Sequence, residues 1–312
     1  MISFLILFFV LFFQSYFKML SLVLPTINCG GEKQALYNNV NYTFETVLEV
    51  GTSDSEIHLV RSNINGEIYI SKVYDIYGID QNSLNNYMNE LNILKKLRNC
   101  ENVIQLVDYV KSNDKLCIIV EYCEQGDLYT DILNRKMNNQ MYTEEEILNI
   151  FNQILNGLSY IHKNQITHSD LKSTNIFIKN NVIKIGDFGL SNVGSNKNLG
   201  TLNCLSYESI KFNKTNKLSD LFQLGCILYE LSTLSSLSQA TNVNEMILFF
   251  ESKNYNNIII NSISTQYSQN LINTVSKLLS LNTLERLEVV TNYNLNKNIQ
   301  LRNSFNTVGI LA

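Results

Sequence analysis

Between Thr167 and Asn175 the chain reads Thr-His-Ser-Asp-Leu-Lys-Ser-Thr-Asn, and Asp187-Phe188-Gly189 begins twelve residues beyond its end. A carboxylate (Asp170), an ammonium (Lys172) and an amide (Asn175) thus fall within six residues, and Asp187 adds a second carboxylate. A positioned carboxylate can take or orient the proton of a hydroxyl. An ammonium can neutralise charge on an anionic group in transfer, and carboxylate and amide oxygens suit a hard cation such as magnesium. Together these groups are the parts of a group transfer to a hydroxyl.

Four spacings agree with one known pattern: Asp170 to Lys172, Lys172 to Asn175, Asn175 to Asp187, and the long gap back to Lys72 in Ile68-Tyr-Ile-Ser-Lys72-Val. On these residues the chain resembles the eukaryotic protein kinase superfamily, Ser/Thr type, over about residues 44 to 292. The resemblance implies ATP and Mg2+ as cofactors and Ser/Thr hydroxyls of proteins as acceptors. It makes Asp170 the catalytic base, in line with the γ-phosphate, and Lys172 the group that neutralises the transferring phosphoryl. Asn175 and Asp187 would hold the metal, and His168 would pack on Phe188 in a structural role. Lys172 and Thr201, the threonine that bridges Asp170 and Lys172 in the family, both imply Ser/Thr specificity.

Ser169 departs from the pattern, standing where arginine usually clamps a phosphorylated activation loop. Activity is therefore expected to depend less on phosphorylation between Leu190 and Leu199. Ser191 and Ser195 within that segment read as solvated turn residues. Glu208, in Ser206-Tyr207-Glu208, is expected to pair with a buried Arg286, and Asp220 to hold the backbone of the catalytic loop. Tyr122-Cys-Glu-Gln-Gly-Asp-Leu128, Ser173-Thr-Asn-Ile-Phe177 and Gly225 to Leu234 are similar to NIMA-related Ser/Thr kinases in particular.

The elements that must position these residues imply an α+β, bilobal protein-kinase fold, with a β-rich small lobe at 44–122 and a mainly helical larger lobe at 123–292. From Phe44 the chain alternates, with Phe44, Thr46 and Leu48 on one face and Ile57, Leu59 and Arg61 following a polar turn. This pattern predicts a hairpin with Gly51-Thr-Ser-Asp-Ser55 as its tip. The family's Gly-x-Gly-x-x-Gly loop brings backbone N–H groups to the phosphates. Here only Gly51 remains, and Asp54 carries a negative charge.

By the same resemblance Val50, Gly51 and Ile57 contact the nucleotide, Ile70 narrows the space under the adenine, and Lys72 reaches the α and β phosphates. Apolar residues at helical spacing from Leu84 to Leu97 predict an amphipathic helix, with Glu90 beside its apolar face to pair with Lys72. Leu116 to Val120 reads as a buried strand. It leads into Glu121-Tyr122-Cys123, which looks like the hinge that binds adenine, with Val120 as gatekeeper and Phe177 as a further nucleotide contact. Thr143-Glu-Glu-Glu146 is a capping box. The helix it opens buries Ile147, Phe151, Ile154, Leu155, Leu158 and Ile161 and ends by Lys163-Asn164.

The totals narrow the alternatives. At 312 residues and 45% apolar composition the chain can fill a sizeable core. A net charge of -4 offers no field for nucleic acid. Six scattered cysteines and three histidines have no zinc spacing, and they read as reduced thiols and structural rings.

Residues 1–24 are almost wholly apolar, compatible with a signal peptide, a membrane tether or a mis-set start before Met19. ATP chemistry favours a cytoplasmic or cytoplasm-facing domain. The 293–312 tail carries no heptads, so an oligomer is not supported. The competing expectation is a pseudokinase, a nucleotide-binding scaffold, motivated by the eroded glycine loop, Ile70 and Ser169.

Overall fold

A computed structural model describes residues 37, 41–50, 55–193, 200–263 and 265–293. The apolar segment 1–24, the loop residues Gly51 to Asp54, Ser195 and the tail from residue 294 onward lie outside the described residues. Two compact units make up the chain, residues 1–73 and 74–312.

In the first unit β1 (Tyr42–Val50) pairs antiparallel with β2 (Ser55–Ser62), Tyr42 facing Ser62 and Val50 facing Glu56. The expected hairpin is therefore present. Its faces differ from the expectation, because register shifts fall between Phe44 and Thr46 and between Val47 and Glu49. Each extra residue turns the following side chains over, so Leu48 is exposed. On β2 the buried positions are His58, Val60 and Ser62, with Ile57 and Leu59 half-buried and Arg61 outside.

His58 is fully enclosed and its polarity is met: Tyr37 Oη lies 3.0 Å from Nδ1 and Glu56 Oε2 lies 2.7 Å from Nε2. β3 (Ile68–Asp75) follows a turn in which Gly66 adopts a φ of +72° and its N–H donates to Ser62 O at 3.0 Å.

The second unit opens with α1 (Gln81–Lys96), whose N-cap Asp80 accepts from the N–H groups of Asn82 and Ser83. This is the expected amphipathic helix, with Leu91, Ile93 and Leu94 buried. β4 (Leu106–Lys111) and β5 (Lys115–Glu121) pair antiparallel. After α2 (Leu128–Met137) comes α3 (Glu144–Lys163), and its capping box is complete: Thr143 Oγ1 accepts from Glu146 N at 3.2 Å, and Glu146 Oε2 accepts from Thr143 N at 2.7 Å. All six apolar residues of the expected stripe are buried, together with Gly157. A Cβ at Gly157 would stand 2.6 Å from Asn102 O, so only glycine lets the helix lie against that backbone.

The chain then forms β6 (Ile166–Thr167), β7 (Ile176–Lys179), β8 (Val182–Ile185) and β9 (Asn192–Val193). Helices α4 (Tyr207–Phe212), α5 (Lys217–Thr233), α6 (Val243–Glu251), α7 (Tyr255–Ser262) and α8 (Gln269–Leu278) follow, and residues 283–293, which include Arg286, are helical as well. One apolar cluster joins Leu91 and Leu94 of α1, Leu106 of β4 and Ile118 of β5 to Ile154 and Leu158 of α3 and Phe222 and Ile227 of α5. That shared core lies within the second unit, where strands β4 and β5 share it with the later helices. Among the described residues no helix is long and apolar enough to cross a membrane.

Candidate active site

The chain from His168 to Lys172 is irregular and runs into a short 3-10 turn at Ser173–Asn175, and α5 supplies the groups that hold it. Asp220, in the first turn of α5 and fully buried, accepts from His168 N at 2.9 Å and Ser169 N at 2.8 Å, and also meets His162 Nε2 at 2.7 Å. Gln223, three residues on and so on the same helix face, accepts from Leu171 N at 2.9 Å and donates to Ser169 O at 3.0 Å. The expectation for Asp220 holds. The part played by Gln223 was missed, although its spacing from Asp220 was a signal that could have found it.

Ser169 sits at φ +72°, fully buried, with Oγ 2.9 Å from Thr215 Oγ1. The hydroxyl pair satisfies the small side chain that stands where the resemblance expects a guanidinium. His168 packs its ring 5.1 Å from that of Phe188, which is fully buried, and its Nε2 lies 3.1 Å from Gly186 O. That is the structural role expected of it.

Asp170 is buried and held from both sides. Its Oδ1 accepts from Thr201 N at 2.7 Å and Thr201 Oγ1 at 2.9 Å, while Oδ2 pairs with Lys172 Nζ at 2.8 Å. Lys172 Nζ also donates to Thr201 Oγ1 at 2.7 Å, so Thr201 bridges the two. The close approach needs Gly200, where a Cβ would stand 2.5 Å from Ser169 O and 2.7 Å from Asp170 Oδ1.

Asn175 directly precedes β7, and Asp187 lies two residues past β8. Since β7 and β8 pair antiparallel, with Ile176 opposite Ile185, the hairpin brings both residues to one end. Asn175 Nδ2 donates to Asp170 O at 2.9 Å, which leaves its amide oxygen to ligate. Asp187 is exposed at φ +59°. Among the described residues no group of three or more His, Cys, Asp or Glu could hold a metal ion. A carboxylate and an amide oxygen, completed by waters and phosphate oxygens, nevertheless form the donor set magnesium takes, so these residues fit the expected ion.

The remaining expected contacts are distributed as follows. Glu121 ends β5 with its carboxylate turned inward, accepting from Gln105 N at 2.8 Å and pairing with Lys179 at 3.0 Å and Lys184 at 3.2 Å. The thiol of Cys123 is pushed up to about 12 by burial, then by the charge of Glu121. Phe177 is half-buried on β7, and its ring passes so near Gly186 that a Cβ there would lie 2.8 Å away. Glu90 lies within the buried face of α1, not merely beside it, and accepts from the Tyr74 hydroxyl, a partner the sequence reading missed.

In the first unit Ile57, Ile70 and Lys72 are half-buried on β2 and β3, Val50 is the last residue of β1, and Gly51 lies outside the described residues. Arg286 is fully buried and grips both oxygens of Glu208, at 2.5 and 3.1 Å, as expected. Ser191 corrects an expectation. It is 1% exposed, no solvated turn residue, because its hydroxyl donates to His168 O at 2.9 Å.

Comparison with known proteins bears on the same residues. The family described as "Protein kinase domain" matches residues 44–295. The chain is 35% identical over 201 residues to "Probable serine/threonine-protein kinase nek3" of Dictyostelium discoideum, covering 61% of this chain and 18% of that protein. It is 32% identical over 197 residues to "Serine/threonine-protein kinase Nek1" of Mus musculus, covering 61% and 16%. It is 39% identical over 141 residues to "Serine/threonine-protein kinase Nek11" of Homo sapiens, covering 43% and 22%. The matched region thus spans less than a quarter of each of these relatives.

Proposed function

The chain belongs to the protein kinase family, where its relatives are NIMA-related Ser/Thr kinases, and from that premise we propose that it transfers the γ-phosphate of ATP to Ser or Thr hydroxyls of proteins. The observation that carries this reading is the Asp170, Lys172, Thr201 and Asn175 constellation. Thr201 holds Asp170 Oδ1 through two hydrogen bonds, and we assign the acceptor hydroxyl's proton to Oδ2, which also pairs with Lys172 Nζ at 2.8 Å. The hydroxyl oxygen bonds to the γ-phosphorus, the bond to the bridging oxygen breaks, and ADP leaves with those electrons. Lys172 neutralises charge on the group in transfer. Asn175 and Asp187 would hold magnesium, which when bound would supply positive charge to the phosphate oxygens.

Val50, Gly51, Ile57, Ile70, Lys72, Glu121, Cys123 and Phe177 are assigned to the nucleotide, and Glu90 to support of Lys72. The kinase domain is taken as residues 44–292. Labelled phosphate transfer from Mg-ATP to a Ser/Thr peptide mixture tests the reading. Asp170→Asn should lower kcat by about 100-fold or more, the range of general-base catalysis.

A second reading, a nucleotide-binding scaffold, draws support from Asp54 and the single glycine in the phosphate loop. It prevails if ATP raises the melting temperature while no peptide is phosphorylated.

A further inference from the structure

Ser191 has every polar atom committed to a different part of the second unit. Its N–H donates to Phe188 O at 3.0 Å, closing the turn that follows Asp187. Its hydroxyl donates to His168 O at 2.9 Å, two residues before Asp170. Its carbonyl accepts from Asn89 Nδ2 at 2.9 Å, across 102 positions of sequence. Asn89 lies on α1 immediately before Glu90, whose carboxylate accepts from Tyr74. Ser191 is 1% exposed, while Asn89 is half-buried, so the bond between them is partly enclosed. The Ser191 carbonyl itself is buried, and a buried acceptor is costly to leave unmet.

From these bonds we infer that Asn89 is a positioning residue for phosphoryl transfer. Through Ser191 it ties the placement of α1 to the spacing between Asp187 and Asp170. The inference rests on the proposed kinase reading for its catalytic consequence, though not for the junction itself. The physical reason is economy of freedom. Asp187 is exposed at φ +59° and only four residues from Ser191, so the turn between them sets where its carboxylate stands. Ser191 fixes the far end of that turn on the backbone that carries Asp170. Asn89 is the α1 side chain that completes the junction, so a shift of the helix would withdraw the donor and loosen the turn. Asn89 touches neither substrate nor nucleotide in this account, and it acts through Ser191 alone.

The test uses the full chain with Asn89→Asp, which keeps the shape and removes the donor, Asn89→Leu, which removes it without adding charge, and Ser191→Ala. Each should lower kcat about tenfold and raise the magnesium concentration for half-activation by a similar factor, with peptide KM within twofold. The size follows from losing one partly buried hydrogen bond to a buried acceptor. The Asn89→Leu/Ser191→Ala double variant should be little worse than either single change, since both open one junction.

Backbone amide exchange supplies a readout independent of activity: residues 188–191 should exchange about tenfold faster in both Asn89 variants, with α5 unchanged. Natural kcat and natural exchange in Asn89→Leu would overturn the inference, as would acceleration spread evenly over the whole chain. If the natural chain phosphorylates no peptide, the kinase reading falls, and the exchange result alone decides whether the junction is real.

Discussion

Asp170 shows how little of a residue's chemistry lies in its own side chain. One oxygen is held by Thr201, the other faces Lys172, and Gly200 is what allows the approach. Ser169 makes the complementary point: its hydroxyl is satisfied by Thr215 in a fully buried site, so this position offers no cation for a phosphate. Phosphatase treatment of the active protein should therefore leave kcat within about twofold, where loss of a charge-assisted phosphate contact would change it far more. A large fall would show that another cation serves the activation segment.

Glu230 on α5 yields a second residue-scale prediction, because burial raises its carboxyl to about 7, only partly offset by a hydrogen bond with Ser173. A folded-state value above the ordinary 4.5 means that the unfolded chain loses this proton first. Stability from this group is thus fully retained below about pH 4.5, declines as pH rises toward 7, and levels off above it. Glu230→Gln should flatten that decline in urea unfolding measured from pH 5 to 8. An unchanged pH slope would refute the assignment.

Among the elements, α5 is the pillar, buried on nearly every side and bonded through Asp220 and Gln223 to the loop that carries Asp170. Its first turn is held by Arg286, which donates to Leu218 O at 3.1 Å and to Ser280 O at 2.8 Å while gripping Glu208 of α4. Phe222 lies 5.0 Å from the guanidinium. Removing one partner of such a pair leaves a charge and two carbonyls without their donor, so Arg286→Ala should cost about 3 kcal/mol or more. The midpoint of urea unfolding would show it, and a change under about 1 kcal/mol would place the pair with ordinary surface bridges. The local signals that built these elements were readable in advance. The box at Thr143 and Glu146 and the stripe from Ile147 to Ile161 depend only on neighbours within a few residues, and both appear as expected. The β1 bulges were not readable, since a strand's register is settled by its partner and not by its own alternation.

For the whole molecule, nucleotide binding is the property that the kinase and scaffold readings share. A ligand at about 100 times its Kd stabilises by about 2.7 kcal/mol. For a chain of this size that amounts to a melting-temperature rise of roughly 5 to 10 °C. Mg-ADP should produce such a shift, and both Lys72→Met and Asp187→Asn should remove most of it. The absence of any shift with the natural chain would count against both readings.

The sequence by itself determined the kinase family, the first hairpin, the helix carrying Glu90 and the capped helix from Glu144, because spacing, caps and apolar periodicity act over short stretches of chain. Only the tertiary structure decided that Ser191 is a buried junction, that Gln223 braces the loop, that Tyr74 meets Glu90 and that the Glu121 carboxylate turns inward to two lysines. Each of these depends on residues far apart in sequence. A buried polar group takes whichever partner the packed core brings within reach, and no local pattern records that choice.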